Sequence, residues 1–174
     1  MIQVQSRHET EISELRESVS GITQMQSSLF EECEARDRRK NNLIVSGIKE
    51  KTEGSIEERK SHDLKQVKEI LHNLNISDVL IRSTYRVGKN QKMSSPRLLK
   101  VILPDIETKQ IILKKAKDLR NVSTCKNVFI NPDLTPFQQK IQKDLREELK
   151  RRRHAGDRVK IYRGKVVEIN QNFQ

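Results

Sequence analysis

The sequence predicts an α+β protein in three parts, and three observations carry that prediction. Residues 1–37 hold a thin apolar stripe at heptad spacing with no proline. Residues 42–131 read as short apolar runs and longer helical stretches in the order strand, helix, strand, strand, helix, strand. Residues 132–174 restart with a turn, a helix whose apolar residues recur every four positions, and a short basic alternating segment.

In the first part the apolar residues are Ile12, Leu15, Val19, Ile22 and Leu29, with Gln26 in the skipped position. The gaps of 3, 4, 3 and 7 describe an a/d seam. Extending the register places Gln5, His8, Cys33 and Arg36 on the seam as well, so its ends are frayed and the coil is expected to be short or to start upstream. A lone helix with so narrow a stripe buries nothing by itself. It needs partner helices, or it docks on its own domain.

The second part opens after the basic junction Arg38-Arg39-Lys40. Leu43 to Ile48 reads as a buried strand with Gly47 near its end. Ser55 and Glu58 form a capping-box pair ahead of a helix carrying Leu64, Val67, Leu71 and Leu74, with Asn75 as its stop. Val79 to Val87 alternates as a second strand, Gly88 to Pro96 is a polar basic loop, and Arg97 to Leu103 is a third strand. Pro104 and Asp105 open a helix with Ile106, Ile111, Ile112, Leu113, Ala116 and Leu119, and Val128 to Ile130 is the fourth strand. This order is the ferredoxin-like split βαβ arrangement, a four-stranded antiparallel sheet with helices on one face. RNA-recognition domains use the other, open face.

In the third part Thr135 caps a helix, Pro136 suits its first position and Gln138 completes a capping box. Phe137, Ile141, Leu145 and Leu149 share one face, and Arg151-Arg152-Arg153 occupies the last turn, where the helix dipole favours cations. Val159 to Ile169 reads as a hairpin turning at Arg163-Gly164. The expected domains are 1–37 (coiled coil), 38–131 (RNA-recognition-like) and 132–174 (basic helix and hairpin).

The charge is divided unevenly among these parts. The net formal charge is +11, made of −2 over residues 1–40, +7 over 41–133 and +6 over 134–174. Such an excess favours a polyanionic partner. Cys33 and Cys125 stand far apart, outside any metal-type spacing, and no apolar run reaches membrane-spanning length. The four histidines have no ligand at zinc spacing, Gly88-Lys89 lacks the rest of a phosphate loop, and no nucleophile turn is present. No enzyme activity, metal or cofactor is expected.

The expected nucleic-acid contacts follow from the strand register. Leu43 and Val45 face the core, leaving Ile44 and Ser46 on the open face. Leu98, Lys100 and Ile102 lie there too. Arg82, Thr84 and Arg86 are expected to join them, with Ile81, Ser83, Tyr85 and Val87 turned the other way. Ile44, Leu98 and Lys100 then stand where stacking aromatics would be, so binding should rest on phosphate contacts, tolerant of sequence and sensitive to salt. Further cations are Arg38, Arg39, Lys40, Lys89, Lys92, Arg151, Arg152 and Arg153, with Lys160, Arg163 and Lys165 on the hairpin.

Three stretches add a resemblance: Arg38 to Ile48 behind a coiled coil, Tyr85-Arg86-Val87-Gly88, and Phe129 to Thr135 ahead of a basic helix. In this order they resemble the first open reading frame protein of LINE-type non-LTR retrotransposons, over nearly the whole chain. The resemblance implies a homotrimeric coiled coil and an RNA-recognition-like domain without the usual aromatics. It also implies a nucleic-acid chaperone that binds single-stranded RNA or DNA in ribonucleoprotein particles, cytoplasmic and also nuclear. It places basic contacts at Arg38-Arg39-Lys40, Arg97 and Arg151-Arg152-Arg153. A host gene derived from such an element fits equally. The competing expectation is a coiled-coil adaptor that binds proteins through the seam and the Phe137–Leu149 face, its charge incidental.

Overall fold

The computed structural model describes residues 2–88 and 96–169. It is α+β, and it divides into two compact units. One comprises residues 38–133. The other joins residues 1–37 to residues 134–174, so the N-terminal helix and the C-terminal segment belong together.

The 38–133 unit is a four-stranded antiparallel sheet with two helices. Its strands are β1 (Asn42–Ser46), β2 (Ser83–Arg86), β3 (Leu99–Ile102) and β4 (Phe129–Pro132), in the order β2-β3-β1-β4. With α1 denoting the N-terminal helix Ile2–Arg39, α2 (Ile56–Asn73) follows β1 and α3 (Ile106–Lys115) follows β3. The core is aliphatic, as the scarcity of aromatics requires. Leu43 and Val45 of β1, Leu99 and Val101 of β3 and Ile130 of β4 pack with Val67, Ile70, Leu71 and Ile112 from the helices.

Local chemistry fixes the helix starts. Ser55 Oγ accepts from the Glu58 N–H while the Glu58 carboxylate accepts from the Ser55 N–H. Asp105 caps α3 by accepting from the Thr108 N–H at 2.7 Å, and these bonds hold its carboxyl below the ordinary aspartate value. The expected length of α3 is shortened, since residues 116–121 and 123–125 are 3-10 turns. Leu119 still reaches the core, whereas Ile106 and Ile111 lie outside. Gly47 adopts a φ of +85°, and a Cβ there would stand 1.9 Å from the Asn127 carbonyl oxygen, so only glycine fits.

In the other unit Thr135 caps α4 (Pro136–His154) through the expected box with Gln138, and Pro136 is in the first turn. Thr135 is fully buried, and its hydroxyl donates to Glu32 on α1 at 2.7 Å. Strands β5 (Val159–Tyr162) and β6 (Lys165–Glu168) form the expected hairpin. Arg163 and Gly164 have φ of 47° and 72°, the pair of positive values of a type I′ turn.

Among the described residues no helix is long and apolar enough to cross a membrane. No group of three or more His, Cys, Asp or Glu side chains among them is arranged to hold a metal.

Candidate nucleic-acid interface

The sheet face opposite α2 and α3 departs from expectation at β2. Thr84 is buried and stands opposite Val101, a core residue, so Thr84 points inward. Strand alternation then turns Arg82 and Arg86 the same way, and Ser83, Tyr85 and Val87 onto the open face. The assignment of Arg82, Thr84 and Arg86 to that face is therefore reversed.

Arg86 shows why. Its side chain is only 6% exposed. Nε and Nη2 donate to the two oxygens of Asp63 on α2 at 3.1 and 2.6 Å. Nη1 donates to the carbonyls of Ile48 and Arg97, and Nη2 also to that of Lys49. All five guanidinium donors are thus used inside the protein, and Arg86 is a structural tie rather than a surface contact. Arg82 is exposed on the side of α3, close enough to Asp105 to lower its pKa further.

The open face that results is mostly apolar. Tyr85, Val87, Leu98 and Phe129 are exposed on it, with Ile44 between them. Phe129 faces outward because its neighbour Ile130 is in the core, and it stands opposite Ser46. The face thus carries two aromatics, on the edge strands β2 and β4, where none was expected. Lys100 is its one cation among the described residues, and it is not free. Nζ lies 2.9 Å from the Asp133 carboxylate and 5.5 Å from the Tyr85 ring centre. Burial opposes the charge of Lys100, but Asp133 and Tyr85 outweigh it, and the amine sits above its ordinary value.

Asp133 gathers more of the junction. It accepts from Asn42 Nδ2 at 3.1 Å and lies 3.6 Å from Arg39. Arg38 and Lys40 are exposed side chains whose backbone carbonyls are engaged: Asn42 Nδ2 donates to Arg38 and Lys109 Nζ to Lys40, the latter at 2.7 Å. Lys109 is buried, which pushes its amine below the ordinary lysine value, and it satisfies orphan carbonyls at the C-terminus of α1. Arg97 is paired with Glu50, and Nη1 donates to the Gly88 carbonyl. That partner holds the Glu50 carboxyl below the usual glutamate range. Lys89 and Lys92 lie outside the described residues.

In the other unit the arginine triplet is divided. Arg151 is an exposed side chain paired with Glu148 one turn back. Arg152 bridges Asp157 and Glu168, and Arg153 donates twice to the Val159 carbonyl, so these two hold the hairpin against the end of α4. Asp157, then Glu168, hold the Arg152 guanidinium above its ordinary value.

On the hairpin, Val159, Ile161, Val166 and Glu168 share one face, and Lys160, Tyr162, Lys165 and Val167 share the other. Val159 is buried, which makes its face the inner one. Lys160, Arg163 and Lys165 are exposed, and among the described residues none is paired with a carboxylate. Lys160 and Arg163 instead lie 5.8 and 5.3 Å from the Tyr162 ring centre.

The α1 seam is open. Ile12, Leu15, Val19, Ile22 and Leu29 are between 47% and 65% exposed, so the stripe is not covered by the described residues. The Phe137–Leu149 face is partly used: Ile141 and Leu145 line a groove of about 470 Å³ with Leu134 and Ile161, while Phe137 stays exposed. No family model matches this chain, and no curated protein is a significant match.

Proposed function

We propose that this chain is a self-associating, non-enzymatic protein that binds single-stranded RNA or DNA through phosphate contacts of low sequence specificity. One observation carries the reading: the outer face of the C-terminal hairpin presents Lys160, Arg163 and Lys165 without carboxylate partners among the described residues, in a segment whose net charge is +6. Such a face neutralises phosphates and so releases the counterions condensed on the nucleic acid, which favours binding. The exposed α1 seam supports assembly, since apolar side chains at heptad spacing are buried only by other helices. Linked copies add their weak contacts, so avidity can exceed single-site affinity by roughly 10²–10⁴.

The strand order β2-β3-β1-β4 with helices after β1 and β3 supports a ferredoxin-like, RNA-recognition-type sheet. With the coiled-coil seam and the basic hairpin, it supports the resemblance to LINE-type first-frame proteins. The same reading includes a homotrimer, a chaperone role and ribonucleoprotein particles in cytoplasm and nucleus.

The test is binding to single strands against salt. The wild-type protein should bind a random oligonucleotide with a steep negative slope of log affinity against log salt. Val19→Glu with Ile22→Glu changes two exposed side chains and should abolish assembly in light scattering while leaving the folded units intact. It should weaken binding to a long strand far more than to a short oligonucleotide; equal loss on both sinks the oligomer mechanism. Residues 30–37 must be kept in any truncation, because Glu32 accepts from Thr135.

A second reading is favoured by the apolar open face of the sheet, whose cation Lys100 is neutralised by Asp133. A protein-binding adaptor would use that face and the seam. It would show little affinity for a random strand at any salt.

A further inference from the structure

We infer that Tyr162 is a base-stacking platform and that the hairpin therefore grips unpaired bases as well as phosphates. The inference rests on the reading of the chain as a nucleic-acid binder and names how one patch does it. Tyr162 is 53% exposed on the outer face of the hairpin. Its cross-strand partner is Lys165, and Lys160 and Arg163 lie over its ring. A base that stacks on the ring takes the place of a cation now over it, and the long side chains so displaced then meet the flanking phosphates.

The patch is also held rigidly. Arg153 fastens Val159, Arg152 fastens Glu168, and the type I′ turn at Arg163-Gly164 fixes where Tyr162 and Lys165 stand. Glu168 is the one acid of the two strands. It lies on the inner face and is engaged by Arg152, so it does not oppose an anion on the outer face. Ordering costs are thus met in the free protein, which favours a bound base. Only an unpaired base exposes its face to a side chain, so this patch prefers single strands to duplex.

The chain has two tyrosines and no tryptophan, so tyrosine emission reports the stacking directly. In a Tyr85→Phe background Tyr162 is the sole source of that emission. Oligo(dT) should quench it, and an abasic strand of equal length should not. Tyr162→Ala should weaken oligo(dT) binding roughly tenfold, the scale of one base–aromatic stack, and leave abasic-strand binding unchanged. Tyr162→Phe should bind as wild type. Circular dichroism checks that the variants fold, and the quenching result needs no substitution at Tyr162. Equal affinities of wild type and Tyr162→Ala for both strands, without quenching, overturn the platform and leave phosphate binding standing. An equal loss on both strands also overturns it, since the ring would then only position Lys160 and Arg163. A wild-type protein that binds neither strand overturns the functional reading and this inference together.

Discussion

The sheet unit and the C-terminal hairpin are both basic, yet they use their cations in opposite ways. In the sheet unit Arg86, Arg97, Lys100 and Lys109 are tied within the protein to Asp63, Glu50, Asp133 and the end of α1, Lys100 on the open face itself. On the hairpin Lys160, Arg163 and Lys165 point outward around a tyrosine. Net charge therefore says little about where a polyanion would bind. What matters is whether each cation has already met its carboxylate or carbonyl, because a paired cation has less to gain from a phosphate.

The strongest way to break the contrast is at Arg86. Arg86→Ala leaves Asp63 buried with only His62 Nδ1, at 3.8 Å, beside it among the described residues, and Asp63→Ala leaves the buried Arg86 guanidinium without its counterion. Each should cost about 3–5 kcal/mol of stability, the scale of a buried pair broken from one side. Urea unfolding of both variants measures it. If Asp63→Ala proves near neutral, Arg86 has another use and no longer belongs among the inward cations. A next, smaller effect comes from Glu50. Its folded carboxyl is more acidic than in the unfolded chain, so its contribution is fully present above the ordinary glutamate value and fades as pH falls through the depressed folded value. Glu50→Gln should flatten the acid limb of the stability–pH profile by about 1 kcal/mol or less, as the pair is partly open to solvent. An unchanged limb would mean that Arg97 holds nothing there.

The fold was legible where local rules act alone. The Ser55/Glu58 and Thr135/Gln138 boxes, the Arg163-Gly164 turn and the inward set Leu43, Val45, Leu99 and Val101 all stand as their patterns imply. The face of β2 was not legible. Its alternation offers Ile81, Ser83, Tyr85 and Val87 against Arg82, Thr84 and Arg86, and apolarity favours the first set. Thr84 and Arg86 face inward because Asp63, 23 positions away on α2, receives Arg86, while Ile81, ahead of the strand, packs against the core as expected and Arg82 is exposed. No periodicity encodes that partner. The same inversion places Tyr85 on the open face, and Phe129 was missed there although an inward Ile130 implies it. Tyr162 was missed as well, although cations at 160, 163 and 165 flank it in an alternating strand and imply an outward basic face. Residue types announce such surface patches, whereas internal pairing of cations depends on the tertiary fold.

The smallest expected change in stability, and the sharpest test of the contrast, belongs to the hairpin. Lys160→Gln, Arg163→Gln and Lys165→Gln together remove no ion pair found among the described residues, and the inner face that carries Val159 is untouched. Arg163 stands at a φ of 47°, which glutamine must also adopt, so a small strain persists in both proteins. The triple variant should unfold within about 0.5 kcal/mol of wild type, as surface substitutions do. Its binding should change far more. Each phosphate that no longer meets a cation lowers the slope of log affinity against log salt by about 1, so the slope should fall by about 3. Arg86→Ala should do the reverse, costing stability and leaving the slope of the remaining folded protein unchanged. A triple variant that unfolds more easily while keeping its slope would show that the outward cations, like the inward ones, serve the fold.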